Sequence, residues 1–482
     1  MTDSAASECK KFDVVIIGAG PGGLFSAYKL AGHFNVAIFE MGREIKKRRC
    51  PSNLVESYCK KCEPCNITSG IGGAGGLSDG KLNYVNPNYP SSYTVGGNFL
   101  GLVDKKYLLE KMKEVDEVFL RHGAPDETYG LEDAEISDLV RKANAAGIEF
   151  VPLIQRHVGS DELPKVIKSM EDELKCHKIN IFTKTTVTDI DPVEKTLITK
   201  DGRKFAYDYL IIGVGRGGAT WLEQWALEYN IEVNDVFDSK AIDVGVRVEV
   251  PASIMEELTT KVYDPKLRVT TKKHDDYVRT FCTCPQGWVL REDYGEFCLV
   301  NGHSKAKIKT NNSNFALLGH YNFTEPFEYP NEWGRDLARI TTKLGGGNPL
   351  VQRLKDLRLG RRSTDSRVDL NRLVHPTLKS AIPGDISLAY PGRVIDDILD
   401  ALEQLDKVIP GVADDSTLLY APEIKFYSLK LKVDPEMRTN LHNIYAVGDG
   451  AGISRGIVGA AVTGLIAGES ILKTENGTGK SK

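Results

Sequence analysis

The chain has 482 residues, of which 66 are acidic and 62 are basic, so its formal net charge is −4. This balance, with a hydrophobic content of 41%, is typical of globular proteins and gives no indication of a nucleic-acid partner. Residues 1–11 lack an apolar core, and we find no apolar run of the roughly 18 residues that a membrane span needs. We therefore expect a cytoplasmic protein with no membrane span and no nucleic-acid partner.

The first elements form a β-α-β unit. Residues 12–17 are a β-branched, apolar run that predicts a buried parallel strand, and a helix pattern follows the next glycines. A second apolar strand at 36–39 ends in Glu40. The turn between the first strand and the helix reads Gly18-x-Gly20-x-x-Gly23, which is the spacing and context of a dinucleotide-binding motif.

Each part of this motif has a physical role. Gly18 allows a tight turn, Gly20 lets the backbone approach a pyrophosphate, and Gly23 lets the helix pack close to the strand. Glu40 is placed to accept hydrogen bonds from a ribose diol, and its charge would repel a 2′-phosphate. The predicted cofactor-binding residues in this region are Gly18, Gly20, Pro21, Gly22, Gly23, Glu40, Met41, Gly42 and Arg43.

An irregular segment at 41–104 is rich in glycine and cysteine, which indicates a functional loop. Four of the nine cysteines lie close together in it: Cys50, Cys59, Cys62 and Cys65. Their spacing allows a [4Fe-4S] cluster, a zinc site, a redox-active pair formed by Cys62 and Cys65, or a set of inert thiols. The four cysteines are thus candidate metal ligands, and the sequence leaves these alternatives open.

The rest of the chain divides into further elements. Helical spacing at 108–119 and 163–174 predicts two amphipathic helices, and strands follow over 179–212 with a hairpin turn at Asp201-Gly202. After about residue 220 the sequence pattern indicates a mixture of helices and strands, as in an α+β domain. We predict an α/β fold, with a three-layer, Rossmann-like domain at 12–220 and 421–473, an inserted α+β substrate or cap domain at 221–420, and a disordered tail at 474–482.

The C-terminal strand ends in Gly448-Asp449-Gly450, and a glycine-rich helix follows. This ending resembles the C-terminal motif of the glutathione-reductase-like flavoproteins, and the segment at 212–218 resembles their middle motif. The resemblance implies that FAD is bound non-covalently, with Asp449 near the ribityl chain and the last helix pointing at the flavin. It adds as cofactor-binding residues Val187, Gly213, Gly215, Gly448, Asp449, Gly450 and Ile457.

Three further motifs resemble a family of FAD-dependent dehydrogenases or oxidoreductases whose reaction is poorly defined. They are the segments 70–82, 243–251 and 279–285. The resemblance implies that Gly72, Gly73, Gly75 and Ser78 run along the flavin ring, where small residues are needed. Asp79 and Lys81 would orient a substrate or tune the flavin, or else form an ion pair that stabilises the loop.

Two other features are candidates for chemistry. Cys282 and Cys284 are two apart on a predicted strand, so they share a face and could serve as redox thiols, as ligands or as buried apolar residues. Arg455 follows the Gly-Asp-Gly motif and is a candidate contact for an anionic substrate or for the flavin, with a surface ion pair as the alternative. Asp79, Lys81 and Arg455 are the candidate catalytic residues.

We therefore predict an FAD-dependent dehydrogenase or reductase that passes a hydride or electrons between the flavin and a small molecule. A soluble electron carrier, or NAD(P)H as a transient donor, would be its partner. No second Gly-x-Gly-x-x-Gly follows a strand, so we expect no dedicated NAD(P)H domain. The alternatives are a flavin monooxygenase that uses NAD(P)H and oxygen, and a non-redox use of FAD.

Overall fold

The computed structural model describes residues 9–51, 60–233, 241–324, 326–327, 329–427 and 430–477. The α-helices in these ranges are α1 Pro21–Leu30, α2 Lys105–Arg121, α3 Asp133–Ala145, α4 Leu163–Cys176, α5 Ala219–Glu228, α6 Ala252–Thr259, α7 Pro330–Leu344, α8 Leu354–Arg358, α9 Asp365–Asp369, α10 Gly392–Leu405 and α11 Gly456–Gly477. The strands are β1 Lys10–Ile17, β2 Val36–Glu40, β3 Lys81–Val85, β4 Glu149–Val151, β5 Leu153–His157, β6 Asn180–Thr183, β7 Val187–Asp191, β8 Thr196–Thr199, β9 Lys204–Ile212, β10 Ala241–Pro251, β11 Lys266–Thr270, β12 Tyr277–Cys284, β13 Trp288–Asp293, β14 Cys298–His303, β15 Asn312–Asn322, β16 Leu350–Arg353, β17 Ile382–Pro383, β18 Leu418–Lys425 and β19 Ile444–Ala446.

The first sheet has the strand order β6-β2-β1-β9-β8-β7, and β19 also pairs with β9. Its centre is parallel, with Ile17 opposite both Phe39 and Ile212. The carboxyl ends of β1, β2 and β9 therefore meet at one edge, where ligands bind in open α/β sheets. The predicted α/β fold with a Rossmann-like domain is confirmed.

Helices α1 and α11 pack directly against each other. The Ser26 hydroxyl in α1 donates to the Gly464 carbonyl in α11 at 3.0 Å. A methyl group on Gly464 would lie 2.1 Å from the Gly22 carbonyl oxygen, so only glycine allows this approach. By length and composition, the segment Gly456–Glu475 is long and apolar enough to cross a membrane, which our search for apolar runs in the sequence missed. However, 72% of the apolar window in this segment is buried inside the structure.

The tail begins later than predicted. Residues 474–477 belong to α11 rather than to a disordered tail, and Tyr209 donates to the Glu475 carboxylate at 2.9 Å. The helix continues because side-chain contacts in its last turns, including Thr474 to the Ser470 carbonyl, support residues that look polar in sequence. Residues 478–482 lie outside the described ranges.

The second sheet has the order β17-β16-β18-β10-β15-β12-β11-β4 and is mostly antiparallel. Two of its strands do not follow the predicted domain division. β18 runs through position 420 to Lys425, and β4 comes from the segment that we assigned to the first domain. A strand belongs to a sheet through the strands with which it pairs, and the residue pattern of one strand does not encode those partners.

A small two-stranded sheet connects the two larger ones. β3 pairs with β5, so that Lys81 lies opposite His157, and β5 follows β4 after Pro152. Lys81 is the first residue of β3 and comes directly from the glycine-rich loop. This connection places the end of the loop beside β11 and β12 of the second sheet.

Candidate active site

The glycine turn after β1 is closely packed. Gly18 has φ +98°, and a methyl group there would lie 2.4 Å from the Gly213 carbonyl oxygen. A methyl group on Gly23 would lie 1.9 Å from the Gly18 carbonyl oxygen. Helix α1 begins at Pro21 with Gly20 as a cap that has no side chain. The amides of the first turn are thus available to an anion.

Glu40 is buried at the end of β2 and accepts three backbone hydrogen bonds. Its Oε2 accepts from Ala19 N at 2.9 Å, and its Oε1 accepts from the Gly42 and Gly70 amides at 2.8 Å each. The carboxylate therefore ties the glycine turn, the segment after β2 and the glycine-rich loop together. A carboxylate has about four lone-pair sites, so capacity for a hydroxyl remains.

The glycine-rich loop lies on the starts of α1 and α11. Gly72 N donates to the Ala19 carbonyl at 2.8 Å, and a methyl group on Gly73 would lie 2.9 Å from Gly20 Cα. A methyl group on Gly75 would lie 3.1 Å from Ile457 Cγ1. The loop thus presents backbone, without side chains, next to the first turn of both helices.

Ser78 and Arg48 hold this loop. The Ser78 hydroxyl donates to the Gly75 carbonyl at 2.7 Å and accepts from Gly80 N at 3.2 Å. Arg48 is buried and donates to the Ile71 carbonyl at 2.7 Å and to the Ile67 carbonyl at 2.5 Å, and burial lowers the pKa of its guanidinium to about 10. The sequence analysis missed Arg48, because nothing in sequence distinguishes it from its exposed neighbours Lys47 and Arg49.

The Gly-Asp-Gly segment closes the site on the other side. Asp449 accepts from the Ser454 hydroxyl at 2.8 Å and from Gly456 N at 3.1 Å, which fixes the start of α11. A methyl group on Gly450 would lie 2.0 Å from the Val214 carbonyl oxygen. The last, middle and first motifs of the chain therefore meet at one edge of the sheet.

The other predicted cofactor residues lie around this centre. Gly22 and Gly213 are buried against Val447, and Gly448 N donates to the Thr463 hydroxyl at 3.1 Å. Met41 is half-buried, whereas Arg43 and Gly215 are exposed. Val187 lies on β7 at the far edge of the sheet, two residues after Thr185, whose amide donates to the Glu40 carbonyl at 2.9 Å.

Asp79 and Lys81 form a buried ion pair. The Lys81 Nζ lies 2.8 Å from Asp79 Oδ2, and the side chains are 7% and 9% exposed. Burial would raise the pKa of Asp79, but Lys81 outweighs it and holds this pKa below its ordinary value. Burial would likewise lower the pKa of Lys81, but its anionic neighbours raise it well above the ordinary value. Both groups are therefore charged at neutral pH.

Lys81 also contacts the cysteine pair of β12. Its Nζ lies 3.5 Å from Cys282 Sγ and 3.7 Å from Cys284 Sγ. The Cys284 thiol lies 3.6 Å from Asp79 Oδ2. The predicted shared face of the two cysteines is confirmed, and the face is directed at the end of the glycine-rich loop.

Further charged residues, which the sequence analysis did not single out, surround this group. Arg247 is fully buried and donates to the Cys282 carbonyl at 2.5 Å and to Cys284 Sγ at 3.4 Å. Its Nη1 lies 3.5 Å from Glu423, which also pairs with Lys425 at 2.6 Å.

A second charged pair lies beside Lys81. Asp264 pairs with Lys266 at 2.5 Å and lies 4.0 Å from Lys81. These contacts join residues that are far apart in the chain, such as Arg247 and Glu423 at a separation of 176 positions, so no sequence motif shows them.

Arg455 lies at the start of α11 and is exposed. Its guanidinium carbon lies over the Tyr427 ring, 4.3 Å from the ring centroid, and its backbone N donates to the Gly96 carbonyl at 2.7 Å. Tyr427 in turn donates to Asp243 at 3.0 Å, and Asp243 pairs with Arg279. In the described part of the chain the Arg455 side chain has no ion-pair partner, so the alternative of a surface ion pair finds no support.

The predicted cysteine ligands do not lie together in the described part of the chain. Cys59 lies outside the described residues. Among those that are described, Cys62 is half-buried and Cys65 is exposed, and they do not form a group of metal-ligating atoms with Cys50. The groups found are Asp79, Cys282 and Cys284, and, elsewhere, His274, Asp276 and Asp397.

The site fits a flavin dinucleotide. A methyl group at Gly20, Gly73 or Gly75 would fill the side-chain-free surface between α1, the loop and α11. Such a surface suits a pyrophosphate and a planar ring, and Glu40 adds the carboxylate typical of a ribose contact. The fold and this site define the class as dinucleotide-binding α/β flavoproteins.

Two family models match the chain and specify this class. Residues 241–425 match the model "FAD-dependent protein, C-terminal domain-like", and residues 130–244 match "Pyridine nucleotide-disulphide oxidoreductase". The first match begins with β10 and ends with β18, and thus covers every strand of the second sheet except β4. Together they confirm the prediction of an FAD-dependent oxidoreductase with FAD as its cofactor.

The chain is also similar to a Clostridium beijerinckii protein described as uncharacterized. The two are 26% identical over 484 residues, which cover 95% of this chain and 80% of the relative. Solved structures with a similar fold include glycine oxidase from Geobacillus kaustophilus, with 12% identity, a TM-score of 0.40 and coverage of 96% and 95% of the two chains. Another is a quinol-fumarate reductase, with 13% identity, a TM-score of 0.46 and coverage of 98% and 73%. These scores are too low to support an argument about substrate.

Proposed function

We propose that the chain is an FAD-dependent dehydrogenase or reductase that acts on a small anionic molecule where the glycine-rich loop meets the second sheet. The observation that carries this proposal is the buried Asp79–Lys81 pair. It stands at the end of that loop, with Lys81 turned towards β12. Bound FAD would supply the hydride or electron chemistry.

The chain's own residues would bind the cofactor through the glycine turn. The amides of the first turn of α1 would hold the pyrophosphate, and Glu40 would accept from a ribose hydroxyl. Asp449 would fix the start of α11, whose free amides favour negative charge. Arg48 would maintain the loop through the carbonyls that it binds.

Lys81 would act as a fixed positive charge. Asp79 keeps the ammonium protonated and oriented in a site of low dielectric, where a charge has a stronger effect than in water. It would stabilise an anionic substrate, or negative charge that develops on the reacting molecule. Lys81 is not a proton donor in this scheme, because its pKa lies well above the ordinary value.

Arg455 would bind a carboxylate or another anionic group of the substrate. Its guanidinium is exposed, lies over the Tyr427 ring and has no ion-pair partner among the described residues. A guanidinium offers two parallel donors to a carboxylate. The Tyr427–Asp243–Arg279 contacts would keep this arrangement in place.

Arg455→Ala should selectively impair the use of anionic substrates. Hydrogen bonds to charged groups contribute about 1.5–3 kcal/mol, so we expect kcat/KM for a 2-hydroxy or 2-amino acid to fall about 10–100-fold. Anaerobic reduction of the bound flavin by such acids and by their amides measures this effect. Arg141→Ala, which removes an exposed arginine from α3, is the matched control and should change neither rate. Equal rates for acid and amide with the unchanged protein would contradict an anionic substrate.

The cysteine segment at 50–65 adds a second part to the proposal. Cys50, Cys59, Cys62 and Cys65 would hold a [4Fe-4S] cluster or zinc, or Cys62 and Cys65 would exchange electrons as thiols. A soluble electron carrier or NAD(P)H would complete the cycle in a cytoplasmic enzyme. Iron and zinc analysis of the purified protein separates the two metal sites from the thiol pair.

A further inference from the structure

The two cysteines of β12 occupy a distorted part of the strand. The register between β12 and β15 shifts between Phe281 and Cys284, which marks a bulge. Cys282 has φ +49°, a left-handed conformation that is uncommon for a residue with a side chain. Bulges and strained residues often re-aim side chains beside functional sites. Here the bulge brings both sulfur atoms and an Asp79 oxygen within 4.8 Å of one another.

The charges around the sulfur atoms favour a thiolate at Cys282. Four cationic side chains, Lys81, Lys266, Arg247 and Lys425, are joined by contacts to three carboxylates, Asp79, Asp264 and Glu423. The excess of one positive charge lies where Lys81 and Arg247 meet the cysteines. A hydrogen bond from Cys284 lowers the pKa of Cys282 and, together with Lys81, outweighs the effect of burial. Burial raises the pKa of the Cys284 thiol, so this sulfur keeps its proton.

A metal ion is a poorer explanation of the same group. Asp79, Cys282 and Cys284 could each give one ligand atom. However, the Lys81 ammonium is within 3.7 Å of both sulfur atoms and 2.8 Å from Asp79, which is the place that a bound cation would take. A fixed ammonium repels a metal ion and stabilises a thiolate.

We propose that Cys282 and Cys284 form a redox-active dithiol that exchanges two electrons with the flavin of the bound FAD. The inference rests on the proposed flavin site, because Asp79 and Lys81 continue the glycine-rich loop that packs on Gly20. In the reducing direction, the S–S bond breaks as two electrons and one proton arrive from the reduced flavin. Cys282 is left as a thiolate next to Lys81, and Cys284 takes the proton. In the reverse direction the S–S bond forms, and the same two electrons and proton return to the oxidised flavin.

Peptide mapping tests the disulfide directly. Trypsin should release residues 280–291 as one peptide, which contains Cys282 and Cys284 and no other cysteine. After incubation of the purified protein with dithiothreitol and unfolding in urea at alkaline pH, we expect iodoacetamide to label both cysteines. After incubation with glutathione disulfide, we expect the loss of both labels and an intact internal disulfide. A peptide that keeps both labels under oxidising conditions would overturn the proposal.

Electron counting tests the exchange with the flavin. In an anaerobic dithionite titration, Cys284→Ser should take up two electrons fewer per chain than the unchanged, oxidised protein. Cys298→Ser is the matched control, because Cys298 is also buried but contacts Thr342 on another part of the second domain. It should take up the same number of electrons as the unchanged protein. An equal electron uptake by Cys284→Ser and by the unchanged protein would overturn the proposal. One zinc ion per chain in the unchanged protein, lost in Cys284→Ser, would also overturn it.

The two proposals fail in different ways. Peptide mapping can be done on flavin-free protein, so a chain without flavin that still forms the disulfide would contradict the proposed function and the exchange, but not the thiol pair. A flavin that is reduced by substrate in a chain whose peptide never forms the disulfide would overturn the dithiol alone. Cys62→Ser adds a further control, since it removes the other predicted thiol pair and should leave the mapped peptide unchanged.

Discussion

Gly23→Ala is expected to lose most of its bound FAD. The added methyl group would lie 1.9 Å from the Gly18 carbonyl oxygen and 3.1 Å from Ile16 Cγ2, and the first of these is backbone that cannot rotate away. Helix α1 would have to move from β1, and the turn that holds the pyrophosphate would move with it. If this costs ~2 kcal/mol, which is typical of overpacking, binding weakens about 30-fold.

The affinity of flavin-free protein for added FAD, followed by the quenching of flavin fluorescence, measures this loss. Gly392→Ala is the matched control, because a methyl group at the first residue of α10 meets no atom within 4 Å. It should bind FAD as the unchanged chain does and gain up to ~1 kcal/mol in stability, since alanine favours helix more than glycine. Undiminished FAD affinity in Gly23→Ala would be incompatible with a pyrophosphate at this turn.

Lys81→Met is expected to be the most destabilising of the substitutions at the loop end. It would leave the Asp79 carboxylate buried without its partner, and breaking a buried pair in this way costs about 3–5 kcal/mol. The double variant Asp79→Asn/Lys81→Met removes both charges and should recover most of that loss. Urea unfolding of the three proteins at pH 7, with FAD at saturating concentration, measures the free energy of unfolding.

The pH dependence of stability also tests the Asp79–Lys81 pair. In the unchanged protein the pKa of Asp79 is lowered, so its stabilisation is full above the unfolded value of about 3.9 and is lost as the pH falls through the lower, folded value. In Lys81→Met, burial would raise this pKa above the unfolded value, so the variant should become more stable as the pH falls from 7 to 5. A decrease in stability over that range would contradict a buried, unpaired carboxylate.

The sequence places the glycine turn and Glu40 correctly in the fold because their signals are local. Gly18, Gly20 and Gly23 lie between one strand and one helix, and Glu40 ends the next strand, so the β-α-β context is enough to place them. The Gly-Asp-Gly ending could be placed because the strand before it is short and apolar. These segments lie together in the structure, at the carboxyl edge of the first sheet.

The chemistry beside that site is not local. Lys81 and Cys282 are 201 positions apart, and their contact depends on the β3–β5 link and on the bulge in β12. Arg247 appears in sequence as one charge in an apolar strand, and only the pairing of β10 with β18 brings it to Glu423. The boundary at 420 was wrong for the same reason, since β18 belongs to the second sheet through its partners.

The binding of FAD is the central claim, and it is tested most directly on the freshly purified protein. Acid denaturation followed by chromatography should release one FAD per chain without a covalent remnant. Under anaerobic conditions the flavin absorbance should bleach when a reductant is added and return with oxygen. A protein that carries no flavin and does not bind added FAD would contradict the account.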